Sequence, residues 1–395
     1  MPPRALLFDL DGTLIDTNHQ HVDAWRSAFA AFGIALGSDL ISEQIGKGGD
    51  LFVSALLGAE AEKKDGDALR TAHRVAFHER FIYAAPAWLP GAKEMLAATR
   101  AAGLRAALAT STDAADLSFL EARMNVRFDE LFDAVVTADA SIPSKPEPDI
   151  LVRACDELGL DPLACAMVGD SLHDATAARR AGLAFLGVTS GFVSAKRFDE
   201  AGARFVCPSL IDLAASLTDA CASAWPSRVD FHARTLEQMM RVALGEAQRG
   251  VAEGEAPLGA AIFDSAGKLV ATGHNRAIAT GDVTEHAEID ALRALARAGM
   301  RLGRGATLVS TLEPCVMCLG AAMMNCVDVV VFGLRAPADG GTRRICVPRS
   351  PENSLPRVRG GILADEAFRA FERWLAGSAA PNQRAYAEQL LRETM

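Results

Sequence analysis

The chain has 395 residues, half of them apolar and 23% charged, a make-up that fits a folded globular protein and excludes a disordered or fibrous one. Its formal charge of -10 argues against wholesale electrostatic binding of nucleic acid, and no run approaches the roughly 18 consecutive apolar residues that cross a bilayer. Eight cysteines are too sparse for a disulfide scaffold, which makes the pair Cys315 and Cys318 a candidate for metal binding first.

This length predicts two or three domains. The opening MPPRALLFDLDG enters a strand-like run directly, without a signal-peptide pattern, so a cytoplasmic location is expected. Strand-like runs at 5–8, 106–109, 134–136, 166–168 and 184–188 alternate with helical patterns, the rhythm of an α/β, doubly wound parallel sheet. Between the first two runs, a stretch rich in Ala, Leu and Phe has helical spacing and predicts an inserted helical cap over about 17–88. Residues 208–218 read as one closing helix. The Pro- and Ser-containing 222–232 reads as a linker, so the first domain is expected at 1–221.

From 233 the pattern restarts. A long helix at 236–252, strands at 260–263 and 269–272 and a helix at 286–298 come first. Strands at 307–310 and 329–332 then flank a helix at 315–324, giving a second, separate α/β domain over 233–377 and a loosely held tail over 378–395. The acidic surplus lies in the first domain, and the second is close to neutral.

Asp9 and Asp11 stand two apart at the end of the first apolar run, where strand geometry aims both side chains the same way. Strand ends are where open α/β sheets bind ligands. Asp170 and Asp174 follow the run at 166–168, four apart, and share one face if a helix starts there. Four such carboxylates repel one another unless a cation joins them, and all-oxygen donors favour Mg²⁺ over zinc or copper. Thr110, Ser111 and Lys145 supply hydroxyls and a fixed positive charge suited to phosphate oxygens. The Gly-rich 45–50 segment of the cap carries Lys47, which suits an anionic ligand, although a solvated loop has the same composition.

Taken in order, DLDGT, AT followed by S, SKPEPD and GDSLHD resemble the haloacid dehalogenase superfamily over about 1–220, in its phosphatase branch with a helical cap. The resemblance implies a Rossmann-like core in which Asp9 is a nucleophile forming an aspartyl-phosphate. It also implies that Asp11 is the general acid for the leaving oxygen and then the base for water. Thr110 and Lys145 would hold the phosphoryl group, and Asp9, Asp11 through its backbone carbonyl, and Asp170 would hold Mg²⁺, with Asp174 in support. A second Asp at position 11 favours phosphoryl transfer over dehalogenation, because a departing halide needs no proton.

The second constellation is His286-Ala287-Glu288 followed by Pro314-Cys315-Val316-Met317-Cys318. An HxE with a later PCxxC is a zinc-deaminase signature. One imidazole and two thiolates make three protein ligands and leave a fourth tetrahedral position for water, whereas a structural zinc is normally closed by four. Glu288 can take a proton from that water and deliver it to leaving ammonia. HAEIDALR, STLEPCVMC and GAAMM together resemble the cytidine/deoxycytidylate deaminase superfamily over about 236–376, nearest its tRNA-adenosine, guanine and cytosine deaminase members. This resemblance implies an α/β/α domain, Asn275 as a substrate-binding residue and a homodimer formed through this domain.

Cys155, Cys165, Cys207, Cys221, Cys326 and Cys346 read as core or surface residues, and His21, His173, His232 and His274 as polar surface or satisfied core. Arg343, Arg344, Arg349, Arg357 and Arg359 suit either an anionic ligand or a solvated loop. The sequence therefore points to a bifunctional hydrolase of nucleoside metabolism. A Mg²⁺-dependent phosphatase acting on a small phosphorylated substrate is joined to a zinc-dependent deaminase of a nucleobase, nucleoside or nucleotide. A tRNA wobble-adenosine deaminase with an appended phosphatase is the less favoured enzymatic alternative, since the end near Phe371 and Trp374 lacks a strongly basic run. A deaminase half serving mainly as a dimerisation module is the alternative of another class.

Overall fold

A computed structural model describes residues 3–139, 141–225, 229, 231–345, 355–377, 379 and 381–394. The chain forms two compact units with the break between Ala224 and Trp225. No helix among the described residues is long and apolar enough to cross a membrane.

The first unit is built on six parallel strands, β1 (Ala5–Phe8), β2 (Arg105–Asp113), β3 (Ala134–Ala138), β4 (Cys165–Gly169), β5 (Ala184–Val188) and β6 (Phe205–Cys207), in the order β3-β2-β1-β4-β5-β6. Strands β1, β4 and β5 are buried along their whole length, which is why they read as continuous apolar runs and not as alternating ones. Strand order reverses between β1 and β4, so the crevice at their C-terminal ends is the natural ligand site of such a sheet. Four helices, Asn18–Ala31, Ser38–Ser42, Gly49–Leu57 and Ala59–Arg80, form the insertion. They bury their own core of Trp25, Phe29, Phe52, Val53 and Leu69, in which the Trp25 and Phe52 rings stack at 4.2 Å.

Two details differ from the sequence expectation. In place of one closing helix at 208–218 there are two, Leu210–Ala215 and Leu217–Ala224, preceded by the edge strand β6. The Ser209 hydroxyl caps the start of the first by accepting from the Asp212 backbone N–H at 3.3 Å, and the break falls at Ser216, whose backbone leaves helical geometry and whose hydroxyl donates to the Asp212 carbonyl at 2.6 Å. Residues 222–224, expected in the linker, complete the second helix.

The second unit has β7 (Gly259–Phe263), β8 (Leu269–His274), β9 (Ala306–Leu312), β10 (Val327–Leu334) and β11 (Arg357–Arg359) in the order β11-β10-β9-β7-β8. Strand β7 runs antiparallel to β8 and β9, and β9, β10 and β11 are parallel. Helix Ala233–Ala252 lies so close to β7 that a Cβ at Gly259 would stand 2.2 Å from the Ala243 carbonyl oxygen.

Arg357 and Arg359, expected in a loop or an anion site, instead form β11 beside β10. Arg357 is buried, with its guanidinium over the rings of Trp225 at 5.6 Å and Phe231 at 5.7 Å, and so supports the core. Arg344 donates to the carbonyls of Pro337 and Ala338, while Arg349 and Cys346 lie outside the described residues. The expected loose tail contains helix Pro381–Thr394, whose Ala387, Leu390 and Leu391 are buried. Their spacing of three and four residues is the helical signature.

Met167 is wholly enclosed in the core beneath β4. Met167→Ala should lower the stability of the first unit by about 2–5 kcal/mol, through lost burial plus an unfilled cavity, read as a lower urea midpoint at unchanged m-value.

Candidate functional sites

The first site lies at the C-terminal ends of β3, β2, β1 and β4. Asp9 follows β1 directly, Thr110 and Ser111 lie where the β2–β3 register breaks, Lys145 follows β3 and Asp170 follows β4. The Lys145 ammonium is fully buried and donates to Asp9 Oδ1 at 2.5 Å and Asp174 Oδ1 at 2.7 Å. Asp174 also closes the capping box of helix Leu172–Ala181 with Ser171, so one carboxylate both starts the helix and orients the lysine. Asp170 accepts from Thr13 Oγ1 at 2.9 Å and Asn18 Nδ2 at 2.8 Å. At Gly12, which has φ +75°, a Cβ would stand 2.4 Å from Asp170, so the turn that carries Asp11 admits only glycine.

Asp9, Asp170 and Asp174 each offer an oxygen, and these atoms lie within 4.8 Å of one another. This all-carboxylate donor set fits a hard divalent cation such as Mg²⁺. The Asp11 carboxylate, expected to point the same way as that of Asp9, is turned elsewhere. It accepts from Thr17 Oγ1 at 2.5 Å and Thr112 Oγ1 at 2.6 Å, and it faces His21 Nε2 at 3.2 Å. Only its backbone carbonyl is left for the role that the resemblance implied. His21, expected as polar surface or satisfied core, thus belongs to the site, with its ring stacked on Phe77 at 4.0 Å.

A cavity of about 310 Å³ opens over these groups, lined among others by Asp9, Asp11, Thr110, Ser111, Lys47 and Arg70. Lys47 reaches it because the glycine loop is fastened to the core: the Gly48 N–H donates to Ser144 Oγ at 3.0 Å, beside Lys145. The Lys47 ammonium donates to Gln44 Oε1 at 2.5 Å. Ser111 Oγ donates to the Gly46 carbonyl at 3.2 Å and tethers the same loop, while Thr110 Oγ1 accepts from the Thr112 N–H at 3.0 Å.

Burial and the neighbouring Asp174 push the Asp9 carboxyl well above the usual carboxylate range despite Lys145, and raise Asp170 to about 7. Burial alone would also raise Asp11, but His21, Thr112 and Thr17 outweigh it and hold this carboxyl down to about 2. For Lys145, burial opposes the charge and the two aspartates more than restore it.

The second site is assembled where two helices begin. His286 is the N-cap of Ala287–Arg297, Cys315 is the N-cap of Val316–Met324 and Cys318 lies in the first turn of the latter. His286 Nδ1 stands 3.7 Å from Cys315 Sγ and 3.5 Å from Cys318 Sγ, and the three ligand atoms lie within 4.8 Å of one another. One imidazole and two thiols converging on a point fit Zn²⁺. The contact with Cys318 lowers Cys315 to about 4, with help from His286, whereas Cys315 and burial raise Cys318.

Glu288 is buried beside them, accepting from Ser310 Oγ at 2.8 Å and from Cys318 Sγ at 3.4 Å, and its burial raises its carboxyl above the usual range. A cavity of about 160 Å³ reaches His286, Cys315 and Glu288, with Ser310, Asp339 and Tyr386 on its other walls. Asn275, at the end of β8, is buried and donates to Glu255 Oε2 at 2.8 Å. It is absent from the described lining of that cavity.

Sequence reading missed Thr13, Thr17, Asn18, Thr112, Ser310, Asp339 and Tyr386. Thr13, Thr112 and Ser310 adjoin motif residues and were discoverable as hydroxyl donors, whereas nothing local marked Asp339 or Tyr386. Of the isolated histidines, His274 is buried against Glu253 at 3.2 Å.

The sequence matches the haloacid dehalogenase-like hydrolase family over residues 3–182 and the cytidine and deoxycytidylate deaminase zinc-binding region over residues 233–334. It is 34% identical over 216 residues to the phosphoglycolate phosphatase of Nitrosospira multiformis, covering 54% of this chain and 94% of that protein. It is 40% identical over 134 residues to the tRNA-specific adenosine deaminase of Haemophilus influenzae, covering 33% of this chain and 77% of that protein. The crystal structure of a hydrolase from Pseudomonas syringae superposes with a TM-score of 0.51 at 29% identity, covering 55% of this chain and 99% of that one.

The raised carboxyls of the first site predict a pH effect with a defined sign. Asp170 binds a proton in the folded metal-free protein up to about pH 7 but loses it near 4 when unfolded, so its stabilising contribution disappears as pH rises through 7. Metal-free protein should therefore melt at a lower temperature at pH 8 than at pH 6. Added Mg²⁺ should raise the melting temperature more at pH 8, because ligation requires the ionised carboxylates. A Mg²⁺-induced shift that is equal at both pH values would refute this.

Proposed function

Because the chain belongs to the haloacid dehalogenase-like hydrolases in its N-terminal half and to the cytidine and deoxycytidylate deaminases in its C-terminal half, we propose that it is a bifunctional enzyme, a Mg²⁺-dependent phosphatase joined to a Zn²⁺-dependent deaminase. The divergence of Asp9 and Asp11 carries the first activity: one carboxylate is held with Lys145 among the cation-binding groups, and the other faces the cavity among hydroxyls. An Asp9 oxygen attacks the phosphorus of a small phosphate monoester, forming an aspartyl-phosphate as the bond to the leaving oxygen breaks. Asp11 gives that oxygen its proton, then takes one from the water that attacks phosphorus and frees phosphate. Since Asp11 rests ionised, its first proton has to be delivered, and His21 Nε2 at 3.2 Å is within reach to do so. Thr110, Ser111 and Lys145 bind the phosphoryl oxygens, Lys47 binds an anionic part of the substrate, and bound Mg²⁺ supplies charge neutralisation.

The second activity rests on the convergence of His286, Cys315 and Cys318 beside the buried Glu288. Bound Zn²⁺ would act there as a Lewis acid that makes water nucleophilic at neutral pH. Glu288 takes the water proton and hands it to the departing amino group, so that a ring C–N bond is replaced by C–O and ammonia leaves. Asn275, to which the resemblance gave the base contact, is held by Glu255 away from the described cavity lining and is not given that role, and the substrate is a nucleobase, nucleoside or nucleotide. The Haemophilus relative supports a second reading, tRNA adenosine deamination. A homodimer through the deaminase half belongs to the proposal, with equilibrium sedimentation as its test.

The deciding assay incubates metal-loaded protein with nucleobases, nucleosides, nucleotides and tRNA, following phosphate and ammonia together. Asp9→Asn should cut phosphate release by about 10³-fold or more and leave ammonia release intact, and Glu288→Ala should do the reverse by about 10²–10⁴-fold. Ammonia released only from tRNA would favour the second reading. Ammonia release that survives Glu288→Ala would refute the assigned role.

A further inference from the structure

Apart from the candidate metal ligands His286 and Cys315 and the phenol of Tyr386, the ionisable side chains lining the deaminase cavity are carboxylates. Glu288, Glu313 and Asp339 line it, and among its described lining residues there is no lysine or arginine. The Glu313 carboxylate is already engaged: it accepts from the Ala336 N–H at 3.1 Å, from the Thr342 N–H at 3.3 Å and from the Thr342 hydroxyl. These bonds fasten the 336–342 loop to the segment that bears the metal ligands, and the Gly341 N–H reinforces them by donating to the Pro314 carbonyl at 2.9 Å. A Cβ at Gly340 would stand 2.4 Å from the Glu313 carboxyl carbon, so the loop passes directly over it. Glu288 is committed to Ser310 and to proton transfer. Asp339 is therefore the carboxylate available to a substrate, held on a braced loop.

Tyr386 also lines the cavity. It comes from helix Pro381–Thr394, which packs on Ala364–Gly377 through a buried apolar face, and it shares the cavity lining with Asp339. Burial and the neighbouring carboxylate push the phenol above its usual range, so it stays a donor. An ionised carboxylate has about four acceptor sites for a ligand's N–H groups.

We propose that Tyr386 and Asp339 make this cavity selective for an unphosphorylated nucleobase, with the phenol ring packing against the base plane and the carboxylate accepting an N–H from its edge. A phosphate attached to the ligand would be brought towards three carboxylates with no lysine or arginine among the described walls, the charge of a zinc ion held there being offset by the Cys315 and Cys318 thiolates. A flat heteroaromatic ring with N–H donors meets an aromatic wall and an acceptor, in a space of about 160 Å³. The inference rests on the deaminase reading above and narrows its substrate class to free bases, ahead of nucleotides and polynucleotides.

The test uses full-length zinc-loaded protein in the Asp9→Asn background, so that no phosphate is removed before deamination. Adenine, guanine and cytosine, their nucleosides and 5′-monophosphates, and a tRNA are compared by ammonia release. Binding of the same compounds is measured by calorimetry in the further Glu288→Ala variant. One free base should exceed its monophosphate by about 100-fold or more in kcat/KM and should bind where the monophosphate does not. Tyr386→Ala should raise KM for that base by roughly tenfold with kcat little changed, and Tyr386→Phe should restore most of the binding. Asp339→Asn should weaken base binding and narrow the gap to the monophosphate. The proposal is overturned if a monophosphate or tRNA matches the base, or if Tyr386→Ala changes neither KM nor selectivity while ammonia is still released. If no compound binds or releases ammonia, the deaminase reading itself falls, and this inference with it.

Discussion

Lys145 has no exposure to solvent, and its ammonium stands between Asp9 and Asp174. A buried charge is tolerated only when it is paired and hydrogen-bonded, and here the pairing also solves the opposite problem of three acidic side chains within 4.8 Å. The lysine offsets part of their repulsion, and the remaining excess of negative charge gives a divalent cation its favourable place. The strand order makes this possible. Asp9, Lys145 and Asp170 each follow a different strand of one parallel sheet, and they meet only because β3, β2, β1 and β4 are neighbours.

The second unit solves a similar problem with helix ends. His286 and Cys315 are N-caps, and Cys318 lies in the first turn beyond one of them, so the unpaired backbone N–H groups of both helices face the ligands. That field favours thiolates, and a zinc ion held there would complete the charge balance. Glu288, in the first turn after His286, is buried where its proton affinity rises, which suits a group that must accept and then return a proton.

The two cavities differ in the charge they present. The first is lined by Lys47, Arg70 and Arg74 in addition to its aspartates, and the second by carboxylates without a described cation. On the proposed reading, a phosphate monoester suits the former and a neutral ring the latter.

Much of this was legible before any fold was known. The two candidate donor sets were readable from residue types, oxygen for one cluster and nitrogen with sulfur for the other, and the strand runs were readable because buried parallel strands are continuously apolar. The sequence by itself determined which residues could bind metal and that two α/β units carry them, because donor chemistry and short-range periodicity are local properties. Only the tertiary structure decided that the Asp11 carboxylate turns away from the cation cluster towards His21, and that Arg357 lies under Trp225 and Phe231 as part of the core. The same holds for Tyr386, which comes from a helix near the end of the chain to form the wall of a pocket whose metal ligand, Cys315, lies about 70 residues earlier. Such contacts join positions far apart in the chain, and no spacing within a single element encodes which distant side chain will fill the space beside it.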